Sequence, residues 1–147
     1  MRIEKRLVEN KPLTVIIEYP EWNRSVENLV RKIGRMDESF IGKSEDGAVA
    51  VSIFDIYYIE NVERKLFIYT KNDVFRYDGS ISDVEKDAYD FGLVRISRTC
   101  IMNAEHLKEI RQLRNSHLEA VLDNDEKLIV SRKYLPEIKK IFKRESI

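Results

Sequence analysis

The sequence predicts an α+β fold, mostly β, made of small antiparallel sheets with short helices. Three observations predict it. Short runs rich in Val, Ile, Tyr and Phe recur along the chain, as at Tyr57-Tyr58-Ile59-Glu60 and Leu66-Phe67-Ile68-Tyr69-Thr70. Turn-forming clusters separate them, at Glu45-Asp46-Gly47, Lys71-Asn72-Asp73 and Asp123-Asn124-Asp125-Glu126. Helical spacing of apolar residues is confined to a few places, of which Val26, Leu29, Val30 and Ile33 is the clearest.

In chain order, Thr14-Val15-Ile16-Ile17-Glu18-Tyr19 reads as a strand stopped by Pro20, and Asn23 or Ser25 caps the helix over Val26–Ile33. Phe40-Ile41-Gly42-Lys43 is a short strand. These pieces make a strand–helix–strand lead, residues 1–42, ahead of a main body over 43–147. Ala48–Val51 resumes apolar character, and Ser52 caps a brief turn over Ile53–Ile56. Tyr57–Glu60, Leu66–Thr70 and Val74–Tyr77 follow as strands, with a polar loop over Asn61–Lys65. Ser80 caps a helix over Ile81–Phe91, with Asp83 and Glu85 near its positive end, and Gly92 stops it. Leu93–Ile96 and Cys100–Met102 are strands, and Asn103 caps a short helix over Ala104–Leu107. Two strands over 109–114 and 117–123 meet at Asn115-Ser116. Lys127–Val130 is the last strand, and Ser131 caps a closing helix with Leu135, Ile138, Lys139 and Phe142 at helical spacing.

The 147 residues fit one domain or one domain with an extension. The only cysteine is Cys100, so no disulfide forms within the chain and no Cys-based metal site arises, which suits a reducing cytoplasm. The start, MRIEKRLVENK, lacks a secretory apolar region, and no apolar run approaches the roughly 20 residues of a membrane span. A cytoplasmic protein is expected. Lys and Arg total 26, as do Asp and Glu, but residues 93–147 carry 12 basic against 8 acidic residues. The basic excess sits in the last third.

Reactive constellations are missing from the sequence. His106 and His117 are isolated, with no HExxH spacing, and there is no GxGxxG, P-loop or GxSxG pattern. Cys100 lies between Thr99 and Ile101 and reads as a packed thiol. No enzyme activity, cofactor, metal or small-molecule substrate is expected. A binding module asks instead for basic and hydrogen-bonding side chains presented from rigid elements. Arg98 sits between Ser97 and Thr99 where one strand ends. Arg132 sits between Ser131 and Lys133 where another gives way to a helix, and Arg64 and Lys65 occupy the polar loop. Such clusters suit guanine edges through arginine and phosphates through Ser, Thr and Lys. A protein-interaction domain without DNA function is the alternative, motivated by the neutral total charge.

At these residues the chain resembles the LytTR-type DNA-binding domain, the output module of many bacterial response regulators. The resemblance runs from about Lys43 to Phe142. Phe91-Gly92-Leu93-Val94-Arg95-Ile96-Ser97-Arg98-Thr99-Cys100-Ile101-Met102-Asn103 is similar to the family pattern F-x-R-[VI]-H-R-S-x-[IL]-V-N, with Ser97 where many members have histidine. Val130-Ser131-Arg132-Lys133-Tyr134-Leu135 resembles the family's terminal V-S-R-[RK]-Y.

The resemblance implies an elongated, mostly β stack of small antiparallel sheets whose loops enter the major groove of double-stranded DNA. It implies transcription regulation at direct repeats, with two protomers per site forming a dimer on DNA. Carried over by position, Arg98 and Arg132 would read bases, and Lys65 with Arg64 would form a third contact. Ser97, Thr99 and Lys133 would touch phosphates, Asn103 would cap, and Arg95 would support its strand. The short lead resembles that of stand-alone LytTR regulators, which implies a small membrane-bound regulatory protein as a further partner.

Overall fold

Along Leu93–Arg95 and Cys100–Asn103 successive side chains turn to opposite sides of the chain, and apolar residues on both sides are buried. Leu93 and Ile101 enter one apolar cluster, while Val94, Cys100 and Met102 enter another. A period of two with both faces apolar is what a strand covered on each side requires. The architecture follows from supplying those two covers.

The computed structural model describes residues 1–34, 38–114 and 117–145. Two compact units are present, Met1–Arg35 and Met36–Ile147. In the first, helix α1 spans Arg24–Gly34, and Asn23 caps it by accepting a hydrogen bond from the Val26 amide at 3.0 Å. Val26, Leu29 and Ile33 are half-buried on one face of it. The strand expected at Thr14–Tyr19 does not form: residues 12–19 have no regular structure, and Val15 and Ile16 are exposed. β-Branched residues favour extended backbone, but a strand exists only where a neighbouring strand bonds it.

The second unit contains β1 (Ser39–Ser44), β2 (Gly47–Ser52), β3 (Tyr58–Val62), β4 (Lys65–Tyr69), β5 (Val74–Tyr77), β6 (Leu93–Arg95), β7 (Cys100–Asn103), β8 (Leu107–Gln112), β9 (Leu118–Leu122) and β10 (Lys127–Val130). Helices α2 (Ile81–Ala88) and α3 (Leu135–Glu145) complete it. The first seven strands form an antiparallel sheet in the order β2-β1-β5-β4-β3-β7-β6, and the last three form another in the order β10-β9-β8. The Phe40 strand expected in the lead is therefore part of β1 and pairs with β2 and β5.

Helix α2 closes the first core, placing Ile81, Val84 and Ala88 against Ile59, Leu66, Ile68 and Ile101. The three-stranded sheet and α3 close the second, with Ala120, Leu122, Val130 and Ile138 against Tyr58, Val94 and Met102. Each fully buried aliphatic side chain here contributes about 1.5–3 kcal/mol. Local signals hold where they are self-contained. The Ser80 hydroxyl accepts from the Asp83 amide at 3.2 Å, the Ser52 hydroxyl accepts from Phe54, and Gly92 ends its segment at φ 85°. The expected helix to Phe91 is α2 followed by a 3-10 turn over Tyr89–Phe91. Ser131 does not cap through its side chain, because a 3-10 turn over Arg132–Tyr134 intervenes before α3. The Asn115-Ser116 joint and the Phe142 side chain lie outside the described residues.

Asn103 is buried among apolar residues and bonds in three directions. Its amide group donates to the Ile56 carbonyl at 2.7 Å and the Ile53 carbonyl at 3.3 Å. Its side-chain oxygen accepts from the Glu105 amide at 3.0 Å, capping a 3-10 turn over Ala104–His106. Beside it, the His106 ring stacks on Tyr57 with centroids 4.0 Å apart, and its nitrogens face the Asp123 carboxylate and the Phe54 carbonyl. Among the described residues no helix is long and apolar enough to cross a membrane.

Two predictions follow from this packing. Asn103→Ala strands two carbonyls and an amide in the interior and should cost about 2–3 kcal/mol in urea unfolding. Burial pushes the Cys100 thiol up to about 12 from its ordinary value near 9. Folding then favours the protonated thiol, so this contribution to stability is complete below about pH 9 and is lost as pH rises towards 12. Cys100→Ala should flatten that part of the pH–stability curve. Alkylation of Cys100 in the folded protein at pH 8 should be far slower than in urea.

Candidate nucleic-acid interface

The β6–β7 connection carries Ser97, Arg98 and Thr99, and Arg95 fixes its shape. The Arg95 guanidinium donates through Nε to the Ser97 carbonyl at 2.9 Å and through Nη2 to the Arg98 carbonyl. Nη1 meets the Glu85 carboxylate of α2 at 2.7 Å. The Thr99 amide donates to the Ser97 hydroxyl at 3.3 Å, and the Thr99 carbonyl accepts from the Asn61 amide at 2.7 Å. Every bend of the loop therefore has a partner, while the Arg98 and Thr99 residues remain exposed.

The second cluster is tied to the first. The Ser131 amide donates to the Ile96 carbonyl at 2.8 Å, and the Tyr134 amide donates back to the Ser131 carbonyl at 3.0 Å. The Tyr134 ring stands 5.8 Å from the Arg95 guanidinium carbon and 5.5 Å from the Lys133 ammonium, distances at which a ring face attracts a cation. A groove of about 620 Å3 opens between the clusters. Ser97, Thr99, Ser131 and Arg132 line it with Glu60, His117 and Glu126. His117, isolated in the sequence, is thus part of the groove wall.

The third cluster differs from the expected loop. β3 and β4 continue to Val62 and Lys65, leaving only Glu63 and Arg64 as a two-residue turn. Both have positive φ, 52° and 68°, the form that matches strand twist in a hairpin. The usual Asn-Gly signal is missing, so no local pattern marks the turn. Arg64 and Lys65 are exposed and do not line the groove. They project from β3, whose Asn61 bonds Thr99, and so stand at the same end of the sheet as the Arg98 loop.

The expected residues thus fall into two groups. Ser97, Thr99 and Arg132 share the groove, with Arg98 and Lys133 beside it in the same two loops. Arg64 and Lys65 stand apart on the neighbouring turn. Glu85 and Asn61 were not singled out by sequence reasoning, since each acts on the loop from another element. Arg95, expected as a support, holds two carbonyls of the loop directly.

Comparison with known proteins agrees with this architecture. Residues 46–143 match the family model of the LytTr DNA-binding domain. The chain is 28% identical over 133 residues to the sensory transduction protein LytT of Enterococcus faecalis, covering 89% of this chain and 55% of that protein. It is 29% identical over 99 residues to the protein of the same name from Bacillus cereus, covering 67% and 40%. The chain spans about half the length of the curated relatives it matches. Its fold overlays on the solved LytTr DNA-binding domain of a Bacillus cereus protein with a TM-score of 0.67 and 24% identity, covering 71% of this chain and 97% of that one. With ten antiparallel strands among the described residues and a family match over residues 46–143, the chain belongs to the LytTR family of DNA-binding domains.

Proposed function

We propose that this chain is a sequence-specific transcriptional regulator that inserts loop residues into the major groove of direct-repeat sites, with residues 43–147 as its DNA-binding part. The observation that carries the proposal is the bond between the Ile96 carbonyl and the Ser131 amide. It joins an arginine loop of one sheet to an arginine loop at the edge of the other, so the backbones that carry Arg98 and Arg132 are tied together. Base readout needs that rigidity, because a bidentate arginine–guanine contact tolerates little displacement.

In this reading Arg98 and Arg132 touch base edges, and Lys65 with Arg64 makes the third contact. Ser97, Thr99 and Lys133 hold phosphates. The Ser97 hydroxyl already accepts from Thr99 and keeps its proton to donate. A second protomer on the same DNA completes a direct-repeat site. The protein works in the cytoplasm, and a small membrane-bound protein restrains it.

Selection of binding sites from random duplexes, followed by fluorescence anisotropy at fixed salt, tests the reading. Arg98→Ala and Arg132→Ala should each cost roughly 1–3 kcal/mol on the selected site and relax base choice at one position. Unchanged affinity in both would remove them as readers. Failure to select any sequence over random duplex would favour a protein-interaction domain instead. Lys133→Ala should weaken all sequences alike and reduce the salt slope by about one. Arg64→Gly relieves a left-handed residue, so it should raise stability by up to about 1 kcal/mol while weakening DNA binding.

A further inference from the structure

Strand edges invite pairing, and this chain treats its edges unequally. β6 has only three residues, and the Ile96 carbonyl just beyond it is taken by Ser131. β8 carries Lys108, Glu109 and Arg111 and a register shift between Leu107 and Glu109. β10 has four residues and begins with Lys127. Charges, bulges and shortness are the usual protections of an edge. β2, at the other end of the seven-stranded sheet, has none of them. Its six residues, Gly47-Ala48-Val49-Ala50-Val51-Ser52, include no charge and no proline, and the first four are exposed.

The backbone of β2 defines what can pair with it. Ser44 and Gly47 flank a two-residue turn and are register partners, so alternation turns the Gly47, Val49 and Val51 amides towards β1. The Ala48, Ala50 and Ser52 backbone groups then face outward. The same alternation is consistent with Lys43 pairing with Arg76 on the far side of β1.

We propose that β2 pairs antiparallel with β2 of a second copy of this chain, about a two-fold axis at Ala50. An identical strand satisfies the row of outward groups in full. Ala50 meets Ala50, Ala48 meets Ser52, and Val49 meets Val51 of the other copy. No like charges are brought opposite one another, and the small side chains allow close approach. Val49 buries surface at the join, since it is 41% exposed in the single copy, whereas Val51 already sits in the core. β6 is three residues long, and the Ile96 carbonyl just beyond it is taken by Ser131, so it offers a much shorter edge than β2. Isologous pairing through β2 closes on itself in a dimer.

This contact is independent of the DNA reading and distinct from two protomers on a direct repeat, which are related by translation. Four strands separate β2 from β7, a spacing of about 24 Å between the two strands. The Arg98 loop stays clear of the join, and the pair presents its two reading surfaces in opposite senses.

Sedimentation of the full chain over a concentration series, with amide exchange measured by NMR, tests the pairing. A monomer–dimer equilibrium is expected, with the Ala50 amide protected only in the dimer. Ala50→Lys sets two ammonium groups against each other and should leave a folded monomer. Ala50→Val, which suits a strand, should keep the dimer, and Arg98→Ala should dimerise as the parent does. The idea fails if the parent stays monomeric at every concentration, or if Ala50→Lys dimerises as well as the parent. Protection of the Ala50 amide in the monomer would also overturn it, because another segment of the same chain would then cover the edge. Were Ala50→Lys unfolded by circular dichroism, the concentration dependence of Ala50 protection in the parent would decide.

Discussion

One guanidinium sets the shape of the surface on which the rest depends. Arg95 has three neighbours in fixed directions: the Ser97 carbonyl, the Arg98 carbonyl and the Glu85 carboxylate. A planar head with donors on both edges can serve all three at once, whereas a lysine ammonium cannot do so in one plane. The Arg95 side chain is 13% exposed, so its bonds are only partly screened by water. Hydrogen bonds to a charged group contribute about 1.5–3 kcal/mol each, more than the loop's backbone can recover alone. Through Glu85 the loop is referred to α2, and through Ile96 and Ser131 to the second sheet. Without Arg95 the link to Glu85 would be lost with it, and the Ile96–Ser131 and Asn61–Thr99 bonds would hold the ends of the loop but not its middle.

The opposite end of β7 is held by Asn103. Its side chain satisfies the carbonyls of Ile53 and Ile56, and its backbone amide donates to the Tyr57 carbonyl at 2.9 Å. β7 is therefore anchored by polar contacts at both ends and by two apolar cores along its length. The strand acts as a bar between the arginine clamp and the asparagine clamp. Met102 and Ile101, which fill opposite cores, keep it from rotating about its axis. The arginine clamp holds a loop that stays in water, where apolar packing cannot, and the asparagine clamp satisfies carbonyls that are buried.

Local chemistry was legible in the sequence, and pairing was not. Asn23, Ser52, Ser80 and Gly92 act within three residues, as does the capping oxygen of Asn103, so composition and spacing revealed them; the bonds from Asn103 to Ile53 and Ile56 were not legible. Thr14–Tyr19 has the residues of a strand, yet strand formation depends on a partner that no local pattern encodes. The Glu63-Arg64 turn was hidden because neither residue is a usual left-handed former; the closely paired strands impose its geometry. Ser131 looked like a helix cap, but its backbone amide is engaged with Ile96, from a segment 35 positions earlier in the chain. For the candidate site, motif spacing picked out Arg98 and Arg132. The link from Glu85 through Arg95 stayed invisible, because it crosses from a helix to a strand edge.

A neutral chain cannot rely on bulk charge to hold DNA. Phosphate neutralisation releases counterions in proportion to the cations engaged, with a slope of about −0.9 for each. Only Arg64, Lys65, Arg98, Arg132 and Lys133 stand exposed in the three clusters, and Glu60 and Glu126 lie in the groove between two of them. Two carboxylates beside so few cations weaken attraction to any duplex that does not fit. A correct duplex must then repay that loss through contacts made at fixed positions, which is the condition under which a bond such as Ile96–Ser131 matters most. In the proposed reading, rigidity of the loops takes the place that net positive charge holds in more basic DNA-binding proteins.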